Sequence, residues 1–306
     1  MTRYLVGLDF GGTKGAIGVA AVGSDELAHS ERFDVPPGAD RDLVYTTAIQ
    51  HARSLPVAAT GEIAGIGVSF GGHVDVTRGV ILRSLHVPGW DDFPIRDRLS
   101  AQFHAPVAIE NDANAGALGE WRFGAGRGRR DMLYVTVSTG VGGGWILDDR
   151  LMRGCDGMAG EIGHMLVRPD GPVCSCGRRG CLEAVASGRA IARRAAEEAP
   201  GTWTAKQVAA EAVRGVAWAQ RILSEAAGYL GAGLGNAICL MNPQVIVLGG
   251  GVTGAGEAYW ETVRRAAAAR ALPGVTVDIL PARHADDAPL YGALALAEQA
   301  MTQPPS

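Results

Sequence analysis

The 306-residue chain contains only two lysines, Lys14 and Lys206, and nowhere strings together the roughly 18 apolar residues that a membrane-spanning helix needs. It also lacks a basic surplus. Lys and Arg together number 28 against 32 Asp and Glu, which excludes a broad field for non-specific nucleic-acid binding. The one basic cluster, Arg127, Arg129 and Arg130, is glycine-spaced and reads as a solvated loop. The N-terminal residues enter a strand pattern at once, with neither the apolar stretch nor the cleavage site of a signal peptide, so the cytoplasm is expected. The 44 glycines, roughly twice the ordinary share, follow no Gly-X-Y period. Collagen is excluded, and the excess must lie at turns or close backbone approaches. No short repeat and no Pro/Ser-rich linker is present, which excludes a solenoid. The five cysteines cannot all pair. Three fall within eight residues, which favours a metal in a reducing compartment over disulfides.

A chain of this length exceeds the size at which one core stops growing, so two domains are expected. Short apolar runs at 4–9, 16–22, 33–36, 63–70 and 107–110 read as strands, with helical spacing at 42–55 and 113–120. A second α/β set begins at 132: strand 133–137, glycine loop 138–144, return strand 145–147, helices at 182–199, 204–212, within 213–239 and at 259–269, and strands at 245–248 and 275–280. A last helix spans 289–300, with a frayed tail at 304–306. Each half opens with strand, glycine loop, strand. The echo predicts duplicated α/β domains flanking a cleft: a small one of residues 1–117 plus 289–306 and a larger one of residues 118–288.

Five constellations carry chemistry. In Asp9-Phe10-Gly11-Gly12-Thr13-Lys14, adjacent glycines let the backbone offer N–H groups to phosphate, Lys14 adds a cation, and Asp9 could hold magnesium through water. The spacing is not that of a Walker A loop, and a plain hairpin turn is the alternative. Ser138-Thr139-Gly140-Val141-Gly142-Gly143-Gly144 follows a strand and reads as a second phosphate wall or a tight loop. Glu110-Asn111-Asp112 closes a strand, where a carboxylate can take a proton from an attacking hydroxyl; Asn-Asp there also reads as a helix cap. His164, Cys174, Cys176 and Cys181, spaced H-x9-C-x-C-x4-C, make a tetrahedral set with no open position, which predicts a structural zinc; redox cycling by Cys174 and Cys176 is the alternative. Cys155 and Cys239 are expected to be small buried hydrophobes. Glu161 and Glu183 flank the metal set, and a pinned loop would fix both carboxylates for sugar hydroxyls. Finally, Val245 to Leu248 runs into Gly249-Gly250-Gly251, which suits a nucleoside.

Together these motifs resemble the ROK family of sugar kinases, within the actin/hexokinase-like ATPase superfamily. The resemblance runs from Leu8 to about Ala297. It is most specific at Gly160-Glu161-Ile162-Gly163-His164 and at Cys174-Ser175-Cys176-Gly177-Arg178-Arg179-Gly180-Cys181-Leu182-Glu183, which matches C-x-C-G-x-x-G-C-x-E at every fixed position. The resemblance implies two ribonuclease-H-like, actin-like ATPase domains and transfer of the γ-phosphoryl group of ATP to a hexose hydroxyl, with the glucose 6-hydroxyl as default. It implies Mg²⁺ with ATP, structural Zn²⁺, and a homodimer or homotetramer that uses neither nucleic acid nor membrane. Asp112 resembles the catalytic base, and Gly72, Asn111, Asp112, Glu161, His164 and Glu183 the sugar ligands. Asp9, Gly11, Gly12, Thr13, Lys14, Ser138, Thr139 and Gly140 resemble the phosphate-binding set, and Gly249, Gly250 and Gly251 part of the adenosine pocket.

Two segments depart from the family pattern. Phe70-Gly71-Gly72-His73-Val74-Asp75 stands where Pro-Gly-Pro-Val-Asp is common, and Ser84-Leu85-His86-Val87 precedes Pro88-Gly89-Trp90 where Asn-Leu or Asn-Ile is common. His73 and His86 are therefore candidate substrate contacts or exposed loop histidines. The competing functions are an N-acylmannosamine or N-acylglucosamine kinase, and a sugar-sensing regulator or binding protein. A DNA-binding regulator would need a helix-turn-helix ahead of Asp9, where the sequence leaves no room.

Overall fold

Apolar runs that end in glycine or a carboxylate fold here as strands of two five-stranded sheets in a computed structural model, which describes residues 2–55, 61–84 and 86–302. Leu85 and the expected tail at 304–306 lie outside the described residues. In chain order the elements are β1 Arg3–Phe10, β2 Lys14–Ala21, β3 His29–Asp34, α1 Arg41–Ser54, β4 Glu62–Phe70, β5 Gly72–Asp75, β6 Val80–Ser84, α2 Ile95–Phe103, β7 Val107–Asn111 and α3 Asp112–Phe123. They continue with β8 Met132–Val137, β9 Val141–Leu147, β10 Arg150–Met152, α4 Leu182–Ala186, α5 Gly188–Glu198, α6 Ala205–Val213, α7 Ala217–Met241, β11 Val245–Gly249, α8 Glu257–Arg270, β12 Asp278–Pro281 and α9 Ala288–Thr302.

The chain divides into two units, Met1–Arg127 with Arg153–Met158 and Asp287–Ser306, and Gly128–Met152 with Ala159–Asp286. The first carries the sheet β3-β2-β1-β4-β7 and the second β10-β9-β8-β11-β12. The two share one plan. β1 pairs antiparallel with β2 and parallel with β4, as β8 pairs antiparallel with β9 and parallel with β11. Each glycine loop joins the first two strands of its sheet. The expected boundary at residue 117 falls inside α3, which runs unbroken to Phe123. There Phe123 packs on Tyr291 of α9 with ring centroids 5.9 Å apart, and Arg122 pairs with Glu298. Residues 118–127 therefore lie with the first unit.

Several expected elements take another form. Residues 142–144 belong to β9, so the second glycine loop is only Ser138 to Gly140. A side chain at Gly143 would begin 2.8 Å from Ile162 and 2.9 Å from the Gly160 carbonyl, so this glycine serves close packing inside a strand. The expected helix 182–199 breaks at Ser187, which is extended and caps α5 by accepting from Ala190 N–H. The segment around Gly72 is a two-stranded hairpin, β5 with β6, rather than a loop. Cys155 and Cys239 are exposed, not buried: the Cys155 thiol donates to Asp156 and the Cys239 thiol to the Arg270 carbonyl.

Each unit has its own core. In the first, Phe10 and Phe70 end β1 and β4 and pack edge-on against buried Trp90, at 5.6 and 5.1 Å between centroids, directly beneath the loops that follow them. α9 lies across β1, β4 and α3, which brings the C-terminal segment into the first unit. At Gly67, and at Gly292 facing Ala115, any Cβ would overlap backbone. Among the described residues no helix is long and apolar enough to cross a membrane.

Two glycine substitutions test this packing. Gly67→Ala should destabilise the protein by more than about 2 kcal/mol, because the Ala293 backbone blocks the added methyl. Gly228→Ala, inside α7 with nothing within 4 Å, should stabilise it by about 0.5–1 kcal/mol. Urea unfolding of both variants checks the opposite signs.

Candidate active site

The residues expected to carry chemistry in the first unit gather at the carboxyl ends of its parallel strands, the usual ligand edge of such sheets. Asp9 of β1 lies in register with Ser69 of β4, and Ser69 with Glu110 of β7. One residue on, Phe10, Phe70 and Asn111 form the next row. Beyond it the first glycine loop turns back into β2, closed by Gly11 N–H donating to the Lys14 carbonyl at 3.0 Å.

Asn111 and Asp112 show that the cap and the candidate base are adjacent parts of one device. Asn111 Oδ1 accepts from Ala113 N–H at 3.0 Å and Asn114 N–H at 3.3 Å, capping α3. Its Nδ2 donates to the Gly72 carbonyl at 3.2 Å and to Asp112 Oδ1 at 3.1 Å. Asp112 is thereby held at the first turn of the helix. A side chain at Gly71 would begin 3.3 Å from the Phe10 carbonyl, 3.5 Å from Asp112 Oδ2 and 3.7 Å from Gly11. The first glycine loop, the Gly71 segment and the candidate base thus meet around one glycine. His86 sits directly on that glycine loop, its ring and Cβ filling the space beside Gly12. His73 is half-buried and pairs in register with Arg83 across the hairpin. Lys14 is exposed at the start of β2.

Asp9 is a strongly perturbed carboxyl of this unit. Burial pushes it up to about 7, and the nearby carboxylates of Asp112 and Asp287 add to the rise. The 2.7 Å hydrogen bond from Ser69 and the Arg32 guanidinium oppose it. Asp9 and its acidic neighbours make this strand end a place of negative potential, which attracts cations.

Sequence reasoning singled out neither Ser69 nor Arg153. Glu110, 1 % exposed, accepts from Arg153 Nε at 2.5 Å, from Asn111 N–H at 3.0 Å and from Asn114 Nδ2 at 3.1 Å. The buried charge immediately before Asn111-Asp112 is therefore paired and fully engaged. The only sequence signal was a lone acid closing an apolar strand.

In the second unit, the glycine loop and the glycine turn after β11 stand at the ends of adjacent strands, with Thr136 in register with Gly249. Ser138 N–H donates to the Gly140 carbonyl, and the first N–H of α5, from Gly188, donates to the Ser138 carbonyl at 2.7 Å. Ser138 and Thr139 remain exposed. Gly250 has φ +87° and packs on the Val137 backbone, a conformation and a spacing only glycine meets.

His164, Cys174, Cys176 and Cys181 come together with their ligand atoms all within 4.8 Å of one another. Cys174 Sγ is 3.7 Å from His164 Nδ1, and Cys176 Sγ is 3.7 Å from Cys181 Sγ. Four donors at metal bond lengths of about 2.1–2.3 Å in a tetrahedron stand about 3.5–3.8 Å apart, so this set fits a metal ion. Burial pushes the Cys181 thiol up, whereas the backbone N–H and side chain of Arg178 pull Cys176 down. His164 Nε2, turned the other way, lies 3.8 Å from half-exposed Glu161. Glu183, in the first turn of α4, accepts from Ser175 Oγ at 2.9 Å and from Val141 N–H at 3.2 Å.

With this geometry in view, comparison with known proteins is specific. The model of the ROK family matches residues 5–300. A glucokinase of Halalkalibacterium halodurans is 36% identical, with 89% of this chain and 88% of that protein covered. The crystal structure of a ROK hexokinase from Thermus thermophilus superposes with a TM-score of 0.85 at 38% identity, covering 97% of this chain and 98% of the other. That of a ROK family glucokinase from Streptomyces griseus, in complex with glucose and AMPPNP, gives 0.83 at 33% identity, covering 97% and 99%.

Asp9 makes stability depend on pH. Its folded-state pKa lies above the ordinary value, so the folded protein holds a proton that the unfolded chain gives up, and stability falls as pH rises from about 4 to about 7. Asp9→Asn should exceed the parent in stability above pH 7 by on the order of 2 kcal/mol, the gap closing toward pH 4. Urea unfolding of ligand-free protein across pH 4–8 checks it; a pH-independent gap would contradict the assignment.

Proposed function

The chain belongs to the ROK family, and from that premise we propose that it is an ATP-dependent hexose kinase with glucose as acceptor and the 6-hydroxyl as nucleophile. The observation that carries the proposal is the meeting of the first glycine loop, the Gly71 segment and Asp112 Oδ2 around one point, supported by similarity to glucokinases over nearly the whole chain. Phosphoryl transfer asks little covalent chemistry of a protein; it asks for positioning and charge stabilisation. Asp112 accepts the hydroxyl proton as the oxygen attacks phosphorus, and the Asn111 carboxamide keeps it aimed.

Gly72, Asn111, Glu161, His164 and Glu183 are assigned to the sugar. Gly11, Gly12, Thr13, Lys14, Ser138, Thr139 and Gly140 are assigned to the phosphates, and Gly249, Gly250 and Gly251 to the adenosine. Asp9 would hold Mg²⁺ through water, which supplies the charge that offsets its crowding with Asp112 and Asp287. Zinc is the ion proposed for the His164, Cys174, Cys176 and Cys181 set: three thiolates and one imidazole leave no open position, so its contribution is rigidity. His164 then spends one ring nitrogen on the metal and presents the other toward Glu161 and the sugar. His73 and His86 lie in the two segments that depart from the common family pattern, and His86 is assigned to shaping the acceptor end of the first phosphate loop. A consumer of ATP belongs in the cytoplasm, and a homodimer or homotetramer is proposed.

Asp112→Asn should cut kcat by at least about a thousandfold while leaving unfolding stability and metal content near those of the parent. Coupled-enzyme detection of ADP with a panel of hexoses, ATP and Mg²⁺ checks this. Full turnover in the variant would remove Asp112 as base, and no turnover of any hexose by the parent would remove the kinase assignment. Chelation of the metal should weaken glucose binding by about tenfold or more, since Glu183 and His164 both depend on the metal loop; calorimetric titration of verified metal-free protein measures it.

A further inference from the structure

Ser175 lies between two cysteines of the metal set and supplies no ligand to it. Its hydroxyl donates to Glu183 Oε1 at 2.9 Å. The other oxygen, Oε2, accepts from Val141 N–H at 3.2 Å and occupies the space where a side chain at Gly140 would begin, 2.5 Å away. One carboxylate is thus held at one end by the metal loop and at the other by the second phosphate loop. The serine itself stands on a stiff turn: Cys174 N–H donates to the Arg178 carbonyl at 2.7 Å, and Gly177 N–H to the Cys174 carbonyl at 2.9 Å. Glu183 would otherwise be a three-torsion side chain on a five-residue helix, free to choose among rotamers.

Resting on the assignment of Glu183 to the sugar, we propose that Ser175 is a positioning residue. Its hydroxyl fixes the Glu183 carboxylate plane before the sugar arrives, so the order of the metal loop reaches both sugar recognition and the second phosphate loop through one side chain. The hydrogen bond has an ordinary length and a charged acceptor, and Ser175 is exposed, so water replaces part of what its removal loses. The expected effect is about tenfold on sugar affinity. Threonine keeps the hydroxyl, whereas alanine does not.

Ser175→Ala and Ser175→Thr are to be compared with the parent by calorimetric glucose titration without nucleotide, by steady-state kinetics, and by elemental analysis of metal per chain. The alanine variant should bind glucose about tenfold more weakly and raise the glucose KM in step. The KM for ATP should stay within about twofold, metal content should be unchanged, and the threonine variant should recover the parent's affinity. Unchanged glucose affinity in the alanine variant would overturn the proposal. So would a threonine variant as weak as alanine, or a loss of metal or of folding together with affinity, either of which would make Ser175 a structural member of the metal loop. A parent that phosphorylates glucose beside an alanine variant of unaltered affinity rejects the role of Ser175 alone; a parent inactive on every hexose rejects the kinase assignment and this role with it.

Discussion

A single carboxamide, that of Asn111, joins the parts of the first unit that must act together. Its oxygen closes two free N–H groups at the start of α3, and its nitrogen ties the Gly72 carbonyl to the Asp112 carboxylate. Helix start, β5–β6 hairpin and candidate base are therefore placed relative to one another by one rigid, planar group. The buried Glu110 beneath it serves the same end. Its carboxylate engages the Asn111 N–H and the Asn114 side chain, and Arg153 neutralises it. A buried unpaired acid at this spot would be costly, and its pairing lets the strand end carry two acids and an amide in succession.

In the second unit a cluster of metal-type donors stands beside the core. In residues 165–181 Met165 and Val167 pack on the core, whereas Leu166 and Val173 further along are exposed. Four donors converge in this segment, and a metal held by them would add order to what packing and backbone bridges supply. Glu183, adjacent to the last cysteine, and Ser175, inside the first pair, then carry that order to the Gly140–Val141 backbone. The helix break at Ser187 belongs to the same arrangement, because it sets Gly188 against the Ser138 carbonyl and so seats α5 under the second glycine loop.

Much of this was legible from residues alone, for identifiable reasons. Strands that end in glycine or a carboxylate announce themselves by apolar runs, and the doubled strand-loop-strand pattern appears in the structure as two sheets of one topology. The metal set was visible because three cysteines and a histidine at close spacing have few other uses. Less legible were features with no local signature. Gly142 to Gly144 resemble a loop in sequence but form a strand, because the contact that demands glycine comes from the distant Gly160–Ile162 segment. Arg153 is one of many arginines, and only the fold brings it to Glu110, 43 positions earlier. Cys155 and Cys239 look like ordinary core cysteines until tertiary packing leaves them outside.

By itself the sequence determined the α/β class, the duplication, the two glycine loops, the candidate base and the metal donors, since each depends on residue type and short spacing. Tertiary structure alone decided which of these meet. Register across parallel strands aligned Asp9, Ser69 and Glu110, and the close approach permitted at Gly71 brought Asp112 to the first glycine loop. Contacts between residues tens of positions apart placed His86 on Gly12 and Glu183 on Val141. Local sequence encodes how a segment bends and what it can bond. It does not encode which remote backbone group fills the remaining valence, because that is settled by packing of the whole unit.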